Sequence, residues 1–291
     1  MVVRFYILII LTITTFVSKV ISIVEDTNTN SFMNKLRNSS IIISEDEVFK
    51  KFQGKTVNIK IGVLNPNALN AIHGAEHFWI EFDPIVPLHI TDNRLLLPFI
   101  VSPDDDPNSN FYKCVYPGCS SIYEPSGLFS NVEEMRISML KLCKKIEDNK
   151  IPVRLWDKPS NIDQTIAKGL LPSFACYSKA NYSEPVLFPA ITLKVVVDWI
   201  PFIINYLDID AQGADLALLY SISDNLHKIR HVKIECQREP DHFLYKNKVN
   251  NECNDIINLL QKHSFTLHNL EVNNCGIGEF NVYMTNKDAH I

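Results

Sequence analysis

Glycine is scarce in this chain of 291 residues, which contains only nine of them. An average protein holds about 7% glycine, and this chain has less than half that share. Only Gly276 and Gly278 lie close together, so neither a G-x-G-x-x-G loop nor a G-x-x-x-x-G-K-[ST] loop can be written. The sequence therefore excludes the two glycine-rich loops that bind dinucleotides and nucleoside triphosphates.

Basic runs and closely spaced cysteine pairs are also missing. The chain carries 28 Lys and Arg against 33 Asp and Glu, for a net charge of -5. Because binding of a phosphate backbone needs clustered cationic side chains, we expect no nucleic-acid partner. None of the seven cysteines forms a C-x-x-C pair, so a zinc ribbon or a thioredoxin-type site is not expected. The sequence predicts no metal site.

The odd number of cysteines leaves at least one of them outside any intrachain pair. Cys114 and Cys119 flank a Tyr-Pro-Gly turn and are candidates for a bridge across a hairpin. The alternative is a set of buried thiols, since free cysteine is among the most buried residue types.

The first 22 residues have the pattern of a secretory signal peptide. Arg4 supplies the positive charge and residues 5–17 form an apolar run that is too short for a comfortable membrane span. An uncleaved signal anchor is the alternative, and only in that case do we expect a membrane contact. Glycosylation triplets begin at Asn38 and Asn181, which agrees with a protein of the ER or Golgi lumen or a secreted one.

The chain after residue 22 divides into a polar arm, residues 23–50, and one domain, residues 51–291, with an insertion around residues 105–201. Apolar runs predict strands over residues 57–63, 78–82, 95–101, 203–209 and 231–236. Helices are predicted over residues 67–77, 132–148, 214–221 and 253–263, and a hairpin over residues 111–122. Residues 265–271 and 279–284 are predicted to close the chain as an antiparallel pair. Alternating strands and helices indicate an α/β fold with a mostly parallel sheet covered on both faces.

Polar or glycine residues follow these predicted strands at the ends where such sheets bind ligands. They are Gly62, Asp83, Asp104, Asp210 and Glu235. A carboxylate after the second strand suits a ribose, because it can accept hydrogen bonds from two hydroxyl groups.

One segment of the chain resembles a known family. Residues 208–219 are similar to the Lys-Ile-Asp-x-Glu-Gly-x-Glu-x-x-x-Leu signature of FkbM-like methyltransferases. Three weaker pieces follow the family's order: residues 81–84 resemble its Phe-Glu-Pro turn, residues 118–122 its Gly-x-Ser-Ser-Leu element, and residues 256–282 its closing helix and strand. The resemblance covers about residues 55 to 285.

The resemblance implies a Rossmann-like class I methyltransferase fold with seven strands, which binds S-adenosylmethionine. Gly62 would open the pocket for the amino-acid part of this cofactor. Glu81 and Asp83 would belong to the cofactor site, with Asp83 on the ribose, and Asp104 or its neighbour Asp105 would lie near the adenine.

The family usually methylates a hydroxyl group, and Asp210 is the best placed base for taking the hydroxyl proton. Gln212 is the second candidate catalytic residue, because its amide can donate and accept hydrogen bonds to the reacting groups. An amide cannot act as a base, so the role of base falls to Asp210. The expected acceptor is a small molecule or, from the compartment, a glycan.

A binding protein that keeps the fold without catalysis is the alternative function. The family's first strand ends in Asp-x-Gly-x-x-x-Gly, whereas this chain has Lys60 in place of the acid and keeps only Gly62, with Pro66 in place of the second glycine. The retained Asp83 and Asp210 favour the enzyme, and the altered loop favours the binding protein.

Two other motifs are weak indications of a metal site. Residues 73–77 spell H-x-x-E-H, a zinc-hydrolase pattern, but the strand predicted at residue 78 leaves no room for the helix to continue. Residues 104–106 are three aspartates without the spaced acids and glycine of a calcium loop. We interpret the first as a helix end and the second as an exposed turn.

Overall fold

The structure is a computed structural model. It describes residues 36, 45–62, 76–114, 117–127, 129, 131, 133–138, 140–141, 183–237, 245–246, 251–274 and 279–290. The chain divides into two compact units, residues 1–43 and 44–291. Leu36, which is helical, is the one described residue of the first unit. The predicted signal peptide and both glycosylation triplets therefore lie largely outside the described residues.

The second unit alternates strands and helices. Its α-helices are α1 (Glu45–Phe52), α2 (Leu193–Trp199), α3 (Asp215–Ser221) and α4 (Cys253–Lys262). The first strands are β1 (Thr56–Ile61), β2 (His77–Phe82), β3 (His89–Ile90), β4 (Arg94–Leu97), β5 (Ile100–Ser102) and β6 (Asn108–Phe111). The later strands are β7 (Val186–Thr192), β8 (Ile204–Ile209), β9 (Ile229–Gln237), β10 (Phe265–Asn274) and β11 (Glu279–Asn286). Short 3₁₀ helices span Pro117–Cys119 and Ser223–Lys228, and residues 133–138 and 140–141 are helical.

A large mixed sheet forms the centre of this unit. Its eight strands lie in the order β10-β11-β9-β8-β1-β2-β4-β3. The five strands from β9 to β4 run parallel to one another. Strand β11 is antiparallel to β9 and to β10, and β3 is antiparallel to β4. The predicted α/β class with a mostly parallel sheet is confirmed, as is the antiparallel pair at the end of the chain.

Strands β2 and β4 are mostly apolar, as strands covered on both faces require, whereas β1 and β8 carry polar residues among their apolar ones. Five of the six residues of β2 are buried, and all four of β4. The helix α4 is amphipathic, and its buried residues Cys253, Ile256, Leu259 and Leu260 recur at helical spacing. This is the pattern from which the sequence predicted that helix.

An aromatic cluster joins α1 to the rest of the unit. The ring of Phe49 stacks on Trp199 with centroids 5.1 Å apart, and Phe52 meets Phe78 edge to face at 4.8 Å. Such pairs stabilise a fold by about 0.5–1.5 kcal/mol beyond the burial of their area. The predicted domain boundary at residue 51 falls inside this helix.

The predicted third strand is wrong as a single element. Residues 94–97 form β4 of the large sheet, whereas Ile100–Ser102 form β5, which belongs to a second sheet of three strands in the order β5-β7-β6. Pro98 separates the two strands, and proline has no N–H group with which to continue a ladder.

The predicted hairpin over residues 111–122 is also wrong as a strand pair. Strand β6 pairs with β7 instead, with Phe111 opposite Val186. Residues 112 and 121 form a single antiparallel bridge. Cys119 is disulfide-bonded while Cys114 carries a buried thiol, so these two cysteines do not bridge each other.

Most of the predicted helix over residues 67–77 lies outside the described residues. Glu76, at its end, is in a turn, and His77 is the first residue of β2.

A disulfide joins Cys236, near the end of β9, to Cys253, the first residue of α4. Among the helices of the described part of the chain, none has both the length and the apolar character needed to cross a membrane.

Candidate functional site

Three neighbouring parallel strands end together and bring their next residues to one edge of the sheet. Ile61 at the end of β1 pairs with Phe82 of β2 on one side and with Ile209 of β8 on the other. Gly62, Asp83 and Asp210 follow these three residues directly in the sequence. The backbone N–H of Gly62 donates to the carbonyl of Phe82, so the ladder continues past the strands (3.0 Å).

Gly62 allows the backbones of β1 and β8 to approach each other closely at this edge. Its φ is +82°, a conformation that costs L side chains about 1–2 kcal/mol. A Cβ at this position would lie 2.1 Å from the carbonyl oxygen of Asp210. No other residue fits here without moving the turn that carries Asp210.

A cavity of about 250 Å³ lies beyond these strand ends. Apolar side chains from β1, β2, β5 and β6 form most of its wall, together with residues that follow β2. Polar groups are contributed by Asp83, Ser120, Ser121, Asp210 and Gln212. The apolar lining residues are Ile61, Phe82, Pro84, Ile85, Val86, Phe99, Ile100, Val101, Phe111, Ile122, Ala211 and Ala214.

The charged side chains in the described wall of this cavity are both acidic, Asp83 and Asp210. A carboxylate attracts a cation or accepts hydrogen bonds from hydroxyl groups. The arrangement therefore suits a ligand that combines a positive charge or hydroxyl groups with an apolar body.

The carboxylate of Asp83 is held at the end of β2 by the turn that it caps. Its Oδ1 accepts the backbone N–H of Ile85 at 2.9 Å, which is the geometry of an Asx turn. An ionised carboxylate has about four acceptor sites, and this bond uses one of them.

Asp210 and Gln212 lie on a tight turn between β8 and α3. Gln212 has φ +49° and the adjacent Gly213 has φ +94°, so two left-handed residues in succession reverse the chain. The Nε2 of Gln212 donates to Asp210 Oδ1 at 2.8 Å and to Glu235 Oε2 at 2.9 Å. A neutral amide thus links two carboxylates at this edge of the sheet.

Asp215, the first residue of α3, is fully buried and hydrogen-bonds to the backbone of the turn between β8 and α3. Its Oδ1 accepts the N–H of Ala211 at 2.9 Å, and its Oδ2 accepts the N–H of Gly213 at 3.2 Å. Burial raises the pKa of this carboxyl to about 7, and the charge of Asp210 adds to the increase while the backbone N–H groups oppose it. Asp215 is a support of the turn rather than a wall of the cavity.

Asn251 connects this support to the strand and helix on either side. Its Nδ2 donates to Asp215 Oδ2 at 3.0 Å and to the carbonyl of Glu235 at 3.2 Å. Its Oδ1 accepts the N–H of Leu216 in the first turn of α3 at 3.0 Å. One buried amide therefore satisfies the helix start and the end of β9 together.

The segment over residues 118–122 contacts the turn between β8 and α3. Ser121 Oγ donates to the carbonyl of Gln212 at 2.8 Å, and Ser120 Oγ accepts the N–H of Cys114 at 3.0 Å. The segment contributes Gly118, Ser120, Ser121 and Ile122 to the cavity wall. Two pieces of the quoted resemblance, residues 118–122 and 208–219, are thus in contact.

The structure brings four of the six predicted site residues to one cavity: Gly62, Asp83, Asp210 and Gln212. Glu81 is fully buried in β2 and forms an ion pair with the buried guanidinium of Arg94. Removing one partner of such a pair costs about 3–5 kcal/mol, so Glu81 has a structural part here.

Asp104 is not among the residues that line the cavity. Its backbone N–H donates to Ser102 Oγ at 3.1 Å, which holds the turn after β5. Its charge acts on Tyr123, whose pKa is raised by burial first and then by Asp104. Asp104 therefore lies near the segment that meets the turn, outside the described wall.

A row of alternating charges crosses the sheet just before the cavity. Asp208 of β8 pairs in register with Lys60 of β1 and with Lys233 of β9. Its carboxylate lies 2.7 Å from Lys60 Nζ and 3.3 Å from Lys233 Nζ. Burial opposes the charge of Lys233, but the carboxylates of Asp208, Asp210 and Glu235 together raise its pKa.

Sequence reasoning missed Tyr245 and Asn251, and it gave no role to Asp215. Tyr245 is buried, and its hydroxyl lies 2.8 Å from Gln212 Oε1 and 3.1 Å from the carbonyl of Cys119. Neither Tyr245 nor Asn251 belongs to a motif or to a periodic run. The sequence did contain a signal for Asp215, because an acidic residue at the start of a predicted helix stabilises the helix N-terminus.

Among the described residues no group of three or more His, Cys, Asp and Glu side chains could hold a metal ion. Of the H-x-x-E-H motif, His73 lies outside the described residues. No family model, curated protein or solved structure matches this chain significantly.

Proposed function

We propose that this protein is an S-adenosylmethionine-dependent methyltransferase of the FkbM-like family, which methylates a hydroxyl group. The observation that carries the proposal is the cavity at the carboxyl ends of the parallel strands, with Gly62, Asp83, Asp210 and Gln212 in its wall. The same four residues are predicted from the sequence by their places at strand ends and by the resemblance.

The architecture supports the proposed class I methyltransferase fold. Seven strands remain in the large sheet when the two-residue β3 is set aside, and they are mostly parallel. The chain ends in an antiparallel pair, β10 and β11, as the pattern of its last apolar runs predicts. The ligand edge of an α/β sheet lies at the carboxyl ends of the strands, where this cavity is found.

The residues present fit the cofactor in charge and in polarity. S-adenosylmethionine carries a positive sulfonium and a ribose diol, and when bound it would supply a methyl group to an acceptor oxygen. Asp83 would accept the ribose hydroxyls, because its carboxylate is held at the end of β2 and lies in the cavity wall. Phe82 and Phe99 offer apolar surface in the same cavity.

Asp210 would take the proton of the acceptor hydroxyl, so that the oxygen gains nucleophilicity as it meets the methyl group. It lines the cavity and already accepts a hydrogen bond from Gln212. A positioned base of this kind contributes about 10²–10⁴-fold to a rate. The rest of the rate enhancement comes from alignment of the two reactants.

A binding protein without catalysis is the second candidate. The observation that favours it is the space beside Gly62, where the carbonyl of Asp210 occupies the position that a Cβ would take. The residues of this chain's own turn, rather than a ligand, account for the need for glycine. This candidate shares the cavity and differs in the absence of methyl transfer.

We propose a lumenal or secreted location and a glycan or small-molecule acceptor. The disulfide between Cys236 and Cys253 supports an oxidising compartment, since such bonds are rare in the cytosol. A mature chain that begins at Met1 and carries no glycan would contradict this location.

Two variants test the proposed roles separately. Asp83→Asn should weaken binding of labelled S-adenosylmethionine at least about tenfold, because charge-assisted hydrogen bonds to the ribose are lost. Asp210→Asn should bind the cofactor within about threefold of wild type and lose at least about 100-fold in methyl transfer to a pool of secretory glycans. Equilibrium dialysis and incorporation of labelled methyl groups measure the two effects.

The matched control is Asp92→Asn, since the side chain of Asp92 is fully exposed and its carboxylate forms a surface ion pair with Lys51. It should leave both measurements unchanged. Undiminished cofactor binding by Asp83→Asn, or undiminished transfer by Asp210→Asn, contradicts the respective role. If the wild-type protein binds S-adenosylmethionine but transfers no methyl group, the binding protein without catalysis is the correct candidate.

A further inference from the structure

The side-chain amide of Gln212 is engaged at both of its ends. Its Nε2 has two N–H groups, and these point at Asp210 Oδ1 (2.8 Å) and at Glu235 Oε2 (2.9 Å). Its Oε1 lies 2.8 Å from the hydroxyl of Tyr245. The amide is thus fixed by three partners from three separate stretches of the chain.

These partners allow one orientation of the amide. Ionised carboxylates only accept hydrogen bonds, so a flipped amide would turn its oxygen toward two acceptors. The hydroxyl of Tyr245 donates to the amide oxygen in the observed orientation, and the carbonyl of Cys119 lies near the same hydroxyl (3.1 Å). Tyr245 and Glu235 therefore both contact the amide that donates to Asp210.

The ring of Tyr245 is itself held in place by packing. It is 5% exposed, and it lies on Gly213, where a Cβ would be 2.7 Å from the ring carbon Cδ2. Gly213 is thus required by its positive φ and by this ring. The hydroxyl of Tyr245 is aimed at Gln212 by a rigid contact rather than by a mobile side chain.

We infer that Tyr245 and Glu235 are positioning residues, which hold the Gln212 amide so that its N–H is donated to Asp210 and orients that carboxylate in the cavity. The inference rests on the proposed function, in which Asp210 takes the proton of the acceptor. Donation to an ionised carboxylate favours the ionised form, which is the form that acts as a base.

Other charged groups near Asp210 would remain in place when the hydroxyl of Tyr245 is removed. They are Lys233 and Glu235 on β9, Asp208 on β8, Asp215 at the start of α3, and Asp83 across the cavity. A change caused by the loss of this hydroxyl alone can therefore be assigned to the link through Gln212.

The first test is Tyr245→Phe, which keeps the ring on Gly213 and removes the hydroxyl. We expect kcat for methyl transfer to fall about tenfold, the change that corresponds to loss of one hydrogen bond, while KM for S-adenosylmethionine changes less than about twofold. The acidic limb of the pH profile of kcat should move to higher pH. The control is Tyr220→Phe on the exposed side of α3, which should resemble wild type.

The second test needs no activity. Gln212→Glu places a third carboxylate between Asp210 and Glu235, so its urea midpoint should be lower at pH 8 than at pH 5 by at least about 0.5 M relative to wild type. Gln212→Ala removes the same contacts without adding charge and should show no such dependence on pH.

The two tests separate this inference from the proposed function. If wild type fails to bind S-adenosylmethionine but Gln212→Glu shows the pH-dependent loss, the proposed function is wrong and the linked amide stands as structure. If methyl transfer occurs and Tyr245→Phe matches wild type in kcat and pH profile, the positioning inference is wrong. Equal pH dependence of Gln212→Glu and wild type overturns the inference whatever the activity.

Discussion

Gly62 and Gly213 occupy two positions around the cavity at which a side chain would collide with the protein itself. The missing Cβ of Gly62 leaves room for the carbonyl of Asp210, and that of Gly213 leaves room for the ring of Tyr245. Both glycines also have positive φ. In a chain with so few glycines, two of them serve the turn that carries Asp210 and Gln212.

The collision at Gly62 predicts a large cost for Gly62→Ala. The substitution should lower the free energy of unfolding by the left-handed strain of about 1–2 kcal/mol and by roughly 2 kcal/mol more, because the new methyl group overlaps a backbone carbonyl. Urea unfolding of both proteins measures the difference.

Gly54→Ala is the matched control, since Gly54 has φ +73° and a Cβ there would meet nothing within 4 Å. It should show the strain alone. Equal losses for the two variants would mean that β1 and β8 do not approach each other at this edge as described.

The residues of the site differ in how far the sequence could predict them. Asp83 and Asp210 follow apolar strands, so their place at the ligand edge could be inferred from pattern. Glu81 could not be assigned to an ion pair, because its partner Arg94 lies on the next parallel strand and nothing local links them. Tyr245 comes from a distant stretch of chain, and packing alone brings it to Gln212.

The existence of a helix or strand follows from local sequence more closely than the pairing of strands does. Helix α4 and strands β1, β2 and β8 were predicted from periodicity, because apolar side chains at fixed spacing depend on nothing distant. The pairing of β6 with β7 depends on which strands meet in the folded chain, and no local pattern encodes it. The break after β4 was readable at Pro98, whose missing N–H ends the ladder.

The disulfide between Cys236 and Cys253 joins β9 to α4 beside the site. The two cysteines are separated by 17 residues, and the carbonyl of Asn251 accepts the N–H of Gln237 at 2.8 Å next to the bond. The disulfide therefore holds the segment that carries Asn251 against the strand that carries Glu235.

Removing this bond in a Cys236→Ala/Cys253→Ala variant should reduce the free energy of unfolding by about 3 kcal/mol, the value for a loop of this length. Urea unfolding under non-reducing conditions measures it. The comparison is Cys114→Ala, which removes one buried thiol and should cost about 1 kcal/mol. A double variant no less stable than Cys114→Ala would show that the bond adds nothing.

At the scale of the whole molecule, the large sheet accounts for the position of the site. Five parallel strands direct their carboxyl ends to one edge, and the cavity lies where β2, β1 and β8 end side by side. The α/β class was predictable because the apolar strands alternate with amphipathic helices. The order of the strands and the contact between residues 118–122 and the turn arise from tertiary packing, so the sequence alone did not reveal them.

The central claim is that this cavity binds S-adenosylmethionine, and a calorimetric titration of the full chain tests it most directly. We predict saturable binding of one equivalent, with a rise in stability of about 2.7 kcal/mol at 100 times the dissociation constant. The demethylated product, S-adenosylhomocysteine, should compete for the same site. No saturable binding up to millimolar ligand would contradict the account.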